Sequence, residues 1–398
     1  MNSVTQDSRA GADAYLLATE RVLLWVLVSY ALLVLCASLY PFTFAPGEFD
    51  LSSLLRWRRP ARRDLIVNLL AYVPIGWGMV HLLRRRVRGL RALLAGALAA
   101  AALSLCVELL QHWVSVRVPS LADWLLNVAS GVLGALLALG QPPASSPFAT
   151  RLRRLQVSPA LALLLVLWLA AHAAPFVPRM RWRLIDAALS QLLATALEPA
   201  RLATTFAAVL VLSAVLRTLV RRDTFWPLFA GIVGTSLLAR LLFIGQQLTL
   251  DQIAAVLLAL PLIAWLRQRS HRAAQLPLFA WIVAAMVVAG TAPWKLTTGF
   301  SGVDWRPFGA LLLGRESVET TGLLLQAFVW IGAVWVGAGS RLGLRRAVPA
   351  LAATVIVIEA VQCFLLGRIA DPTQLLLLLY GTLLVQAARA IDGPAGAA

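Results

Sequence analysis

The chain has 398 residues, 60% of them hydrophobic and 13% charged, with a mean hydropathy of +0.80 and a formal net charge of +17. A soluble protein of this length needs far more polar surface, so that class is excluded. The basic excess does not mark a nucleic-acid binder, because the arginines stand in short groups between apolar runs, as the positive-inside rule expects.

Apolar runs of about 17–25 residues, long enough to span a bilayer as helices, recur along the chain. The expected fold is all-α, a polytopic transmembrane helical bundle of about twelve helices. Residues 1–20 read as a cytoplasmic N-terminal lead and 21–39 as the first span. That run is too long for a signal-peptide core, and Leu35 directly before Cys36 argues against lipoprotein processing. Residues 40–63 form a loop with Pro41, Pro46 and a run Trp57-Arg58-Arg59-Pro60-Ala61-Arg62-Arg63, an interfacial anchor. Spans follow at 64–83, with Asn68, Pro74 and Gly76, then at 92–114 and 121–139. Residues 141–158 are proline- and arginine-bearing and read as a linker.

The middle third places spans at 159–174, 201–220, 225–244 and 250–266, with a loop at 175–199. The last third places them at 276–292, 319–338, 347–366 and 372–388, with a loop at 293–317. Residues 391–398 are a C-terminal tail. The thirds resemble one another, so 21–140, 159–270 and 271–390 read as three four-helix repeat units, the middle one degenerate. From the proline opening each long loop to the ionisable residue late in each third helix is 67 residues (Pro41 to Glu108), 65 (Pro175 to Arg240) and 66 (Pro293 to Glu359).

Polar groups concentrate in two hairpins. Glu108, Gln111 and His112 share a helix face, Arg117 lies in the connector, and Asp123 and Asn127 share a face of the next helix. Glu359, Gln362, Arg368 and Asp371 repeat the series, with Glu-to-Gln and Glu-to-Arg offsets of three and nine in both. Ionisable groups are costly in lipid, so these are the candidate sites. Asn68 joins the first and Glu319 the second. Glu108 should lie roughly 9 Å below the end of its helix at 1.5 Å per residue, shallower than the midplane sites of secondary transporters. Arginine-rich connectors alternate with arginine-poor ones, which puts both termini in the cytoplasm and both hairpins at the outer face.

Asn68-x5-Pro74-x-Gly76, Glu108-x2-Gln111, Arg117, Asp123-x3-Asn127 and Gly131-x2-Gly134 resemble the VanZ-like family of small multi-helix membrane proteins. The resemblance covers about 34–140, extends partially over 290–390 and is faint over 160–270. The family takes its name from a member linked to low-level resistance to the glycopeptide teicoplanin. The resemblance therefore implies a bacterial cytoplasmic-membrane protein acting at the cell envelope, possible carrier of a resistance role, and it supplies no reaction.

Arginine beside amides suits a phosphate or carboxylate. The bland account is an interhelical staple, worth roughly 0.6–2 kcal/mol per bond in membranes. We favour ligand binding because the carboxylate-bearing set recurs. The expected partners are membrane lipids, with a cell-wall precursor or glycolipid as ligand. Two carboxylates near an arginine could also do acid–base chemistry, but no nucleophile constellation or phosphate-cradling glycine loop accompanies them, so catalysis is the lesser alternative. No metal or cofactor is expected: the three cysteines lie in apolar runs and the four histidines are scattered. Rival classes are a transporter or lipid flippase and a non-catalytic scaffold.

Overall fold

The structure, a computed structural model, describes residues 20, 23–24, 26–28, 30–32, 34–35, 38–39, 44, 57, 62–83, 86–114, 119–140, 159–173, 182–194, 196–243, 246–305 and 320–392. These carry twelve helices: α1 Arg62–Leu83, α2 Leu90–Gln111, α3 Leu121–Leu139, α4 Pro159–Ala173, α5 Trp182–Ala194, α6 Pro199–Leu219, α7 Phe225–Leu242, α8 Leu250–Arg267, α9 His271–Thr291, α10 Thr320–Gly339, α11 Gly343–Gln362 and α12 Thr373–Asp392. The described residues between 20 and 39 are helical too. Extended pairing among the described residues is confined to isolated bridges. Seven of these helices, α2, α3, α6, α7, α8, α9 and α10, are long and apolar enough to cross a membrane. The protein is thus an all-α, multi-pass helical bundle.

Two compact units make up the chain, one of Met1–Arg154 with Arg389–Ala398 and one of Leu155–Ala388. In the first, α1, α2 and α3 all pack on one another. Burial of apolar surface does not drive helices together in lipid, so close backbone approach must. Small residues supply it. A Cβ added to Gly76 would overlap the carbonyl oxygen of Gly131, one on Gly134 would overlap that of Val73, and one on Gly131 would overlap Ala100. The glycines that carry the family resemblance are therefore contact points. Helical residues of the 20–39 stretch lie on α1, where Tyr30 Oη donates to the Ala71 carbonyl at 2.9 Å and Val34 packs with Tyr72 and Ile75.

The second unit is built around α6 and α10. Every residue of α6 from Ala207 to Leu216 is buried, the signature of a helix surrounded by others. α6 is flanked by α8, α9 and α10, and α10 by α4, α9 and α11. Gly332 of α10 sits so close to Val211 of α6 that a Cβ there would overlap the valine. Phe328, Phe225, Phe229 and Trp168 fill the remaining core. Trp168 Nε1 donates to Ser236 Oγ at 2.8 Å, joining α4 to α7.

Several boundaries differ from the sequence expectation. The third and eleventh predicted spans end early, at Gln111 and Gln362 rather than Val114 and Leu366. Apolar residues continue past both ends, but the chain has left the helix. Glu108 is therefore only three residues from its helix end, about 4.5 Å at 1.5 Å per residue. The predicted loop at 175–199 contains α5. Ala188 is its buried face, with Ile185 and Leu192 half-buried at i−3 and i+4, while Trp182, Asp186 and Ser190 are exposed. Thirteen residues are too few to span a bilayer. α9 starts at His271, ahead of the predicted 276, because Ser270 caps it by accepting the Ala273 N–H.

Candidate functional site

Glu108, Gln111, Asp123 and Asn127 of the first hairpin each meet a partner from another element. Ser120, the residue before α3, is extended, so its buried N–H falls outside the helix ladder. Glu108 Oε2 of α2 accepts that N–H at 2.9 Å. Asn127 Nδ2 of α3 donates to Ser104 Oγ of α2 at 2.9 Å, and Trp124 Nε1 donates to the Ala101 carbonyl at 3.1 Å. Asn68 Nδ2 of α1 donates to Asp123 Oδ1 at 3.3 Å. Gln111 Nε2 donates to the Ser38 carbonyl at 2.8 Å. These bonds bring Asn68 to Asp123 and tie Glu108, Gln111 and Asn127 each to a different partner. Asp123 lies within coulombic reach of Glu108, and Asn127 Oδ1 is buried without a hydrogen-bond partner among the described residues. Arg117 lies outside the described residues. Sequence reasoning missed Ser38, Ser104, Ser120 and Trp124. Ser104 carried a signal, a lone hydroxyl inside an apolar run.

The second hairpin follows the same wiring. Glu359 Oε2 accepts the Asp371 N–H at 2.8 Å, again twelve residues ahead. Gln362 Nε2 donates to the Gly290 carbonyl at 2.9 Å. Ser38 and Gly290 each stand three residues before the loop prolines Pro41 and Pro293. Val114 and Leu365, each six residues past the glutamate, bridge Phe44 and Leu296, each three past the proline. Here the roles are legible as capping. Gly290 is in the last turn of α9, where carbonyls lack intrahelical partners, and Gln362 satisfies one. Arg368 takes two more, donating from Nε to Ala292 at 2.8 Å and from Nη2 to Ala289 at 3.2 Å. A cation at a helix C-terminus also suits the helix dipole. Asp371 Oδ1 accepts the Thr373 N–H at the start of α12 at 2.8 Å. Glu319 lies outside the described residues.

The second unit also holds a cavity of about 500 Å³, lined from α6 through α12. Gln362 and Arg368 line it, as does Arg240. Among the described residues no group of three or more His, Cys, Asp or Glu is placed to hold a metal ion.

Residues 18–140 match the family model described as VanZ/LLP1. That span holds α1–α3 and the first hairpin, and it ends before the second unit. No curated protein and no solved structure matches the chain.

Proposed function

We propose that this chain, whose residues 18–140 belong to the VanZ/LLP1 family, binds or handles an amphiphilic cell-envelope component at the outer face of the bacterial cytoplasmic membrane. The site is the first hairpin, with Glu108, Gln111, Asp123, Asn127 and Asn68 as polar contacts and Arg117 as the cation of the connector. One observation carries the reading: Glu108 is a buried carboxyl in a helix apolar enough to cross a membrane, placed within reach of a second carboxyl, Asp123. A bond between helices needs only neutral amides. A buried carboxyl in apolar surroundings raises the free energy of the fold, and a hydroxyl-rich ligand group beside Glu108 would offset that cost. The matching wiring around Glu359, Gln362, Arg368 and Asp371 supports reading the last third as a second copy of the unit.

The scaffold reading has its own support, since Asn68, Gln111 and Asn127 already give their amides to protein partners. Glu108→Gln separates the two. Glutamine accepts the Ser120 N–H as well as glutamate does, so a scaffold keeps its function. Under the binding reading, mass spectrometry of lipid extracts from the purified variant shows loss of a component that copurifies with the wild type, at equal membrane expression. Unchanged copurifying lipid and unchanged glycopeptide susceptibility of the host would sink the site. For a transporter, cysteines placed beside Glu108 would be labelled by impermeant reagents from both sides of the membrane. A fixed outer-face site predicts labelling from outside only.

A further inference from the structure

The cavity of the second unit lies at the starts of α6 and α8, and the connectors that lead from those helices to α7 and α9 lie at their other ends. Residues 217–224 carry Arg217, Arg221 and Arg222, residues 267–272 carry Arg267, Arg269 and Arg272, and Asp223 is the one carboxylate of both stretches. The two connectors are cross-tied by their own arginines. Arg217 Nη2, from the end of α6, donates to the Arg269 carbonyl at 3.4 Å, and Arg267 Nη2, from the end of α8, donates to the Arg222 carbonyl. Aromatic rings steady the cations further. The Arg267 guanidinium stands 4.4 Å from the centre of the Phe225 ring and 5.4 Å from that of Trp226, and the Arg269 guanidinium 3.9 Å from that of Trp265.

This arrangement holds like charges together. Arg217 lies within coulombic reach of both Arg222 and Arg267, and His271 within reach of Arg217. Arg217 and Arg267 are half-buried, so water and salt screen them less than free surface charges. Asp223 gives little relief, since it faces Arg221 at 3.8 Å with both side chains well exposed. Among the described residues no carboxylate lies within ion-pair distance of Arg217, Arg222 or Arg267. Cations fixed side by side repel one another, and an anion seated between them turns that repulsion into attraction.

We propose that the cross-tied connectors form a binding surface for an anionic phospholipid, whose phosphate is held by Arg217, Arg222 and Arg267. Position selects this anion. Arg217 and Arg267 end helices long and apolar enough to cross a membrane, so the cluster stands at the depth of lipid headgroups. Trp226 and Trp265 flank it and are 37% and 41% exposed, as suits indoles at a membrane interface. Exposed leucines follow along the same helices, Leu228 on α7 and Leu257 and Leu258 on α8, and offer a surface for acyl chains. Guanidinium groups bind phosphate oxygens in two-pronged fashion. A zwitterionic headgroup would carry its own cation into the cluster and is disfavoured for that reason. The positive-inside rule puts this end of the helices in the cytoplasm, where the leaflet is anionic. The surface is separate from the first hairpin and does not depend on the function proposed there.

The test uses the purified full chain, delipidated in neutral detergent and titrated with phosphatidylglycerol or phosphatidylcholine, with each bound state resolved by native mass spectrometry. The wild type should take its first phosphatidylglycerol at least about tenfold more tightly than phosphatidylcholine, and the preference should shrink as salt is raised. Arg217→Gln and Arg267→Gln should each weaken that first binding about fivefold, the worth of one arginine at an anionic membrane surface. Arg267→Lys keeps the charge and should recover most of the loss. Arg222 is exposed and its side chain makes no hydrogen bond among the described residues, so Arg222→Gln should fold normally and weaken binding to a similar degree. Arg88→Gln removes one exposed charge from the basic turn of the first unit and should bind as wild type does. Equal affinity for the two lipids would overturn the proposal, as would unchanged binding in Arg222→Gln. The same loss in Arg88→Gln would show that only net charge counts and would overturn it too. Displacement of phosphatidylglycerol by inorganic phosphate at constant ionic strength would assign the cluster to a free anion and overturn the lipid assignment.

Discussion

Gln362 gives its side-chain amide to the Gly290 carbonyl across 72 residues of chain, closing the end of α9. Gln111 makes the counterpart bond to Ser38 across 73 residues. Replacing Gln362 by leucine leaves that carbonyl without its donor and should lower stability by roughly 0.6–2 kcal/mol, the range for interhelical bonds in membranes. The check is reversible unfolding of the purified protein in mixed detergent. Gln362→Glu should be worse than leucine, because a carboxylate cannot donate and meets the oxygen directly.

Glu108 and Ser120 permit a sharper comparison. Glu108→Ala leaves the Ser120 N–H buried and unsatisfied, which should lower stability by about 1–3 kcal/mol. Glu108→Gln keeps an acceptor and should unfold within about 1 kcal/mol of wild type. A large loss in the glutamine variant would mean that the charge itself holds the hairpin.

Asn68 and Asp123 should be exchangeable as a pair. Asn68→Asp sets two carboxylates at the 3.3 Å contact and should cost expression and melting temperature. Asp123→Asn in that background restores a donor and an acceptor, so the double variant should recover most of the loss. Additive single effects in a double-mutant cycle would show that the two side chains do not couple.

Gly76 and Gly234 predict opposite outcomes for one change. Gly76→Ala drives a methyl into the Gly131 backbone, and should destabilise by at least about 1–3 kcal/mol as other overpacked sites do. Around Gly234, in mid-helix, an added methyl meets nothing within 4 Å. Gly234→Ala should therefore be neutral or stabilising by about 0.5–1 kcal/mol. Thermal aggregation of the two variants in detergent distinguishes them.

Much of the architecture was legible in the sequence, because lipid demands long apolar helices and leaves few alternatives. The hairpin residues were legible for the same reason: Glu108 and Glu359 are conspicuous where every polar group is costly. Their partners were not. Glu108 binds a backbone N–H and Gln362 a backbone carbonyl, and a sequence does not say which main-chain groups a fold leaves unsatisfied. Hydropathy also overran the ends of α2 and α11, since Trp113, Val114 and Leu365 are as apolar outside the helix as within it. The cavity was the least legible feature. Its wall draws on residues from Glu198 to Gln374, and Thr205 and Gln326 look unremarkable one at a time.

The all-round burial of α6 bears on how the protein is made. At Val211 it meets Gly332 of α10, and three complete helices, α7 to α9, are synthesised between them. At about 5–20 residues per second, α6 waits for many seconds in the bilayer with its future contact face turned to acyl chains. The stretch from Ala207 to Leu216 is apolar except for Ser213, whose hydroxyl bonds back to the Leu210 carbonyl, so waiting carries little penalty. Lipid thus holds α6 until α8, α9 and α10 arrive and exchange lipid contacts for protein ones.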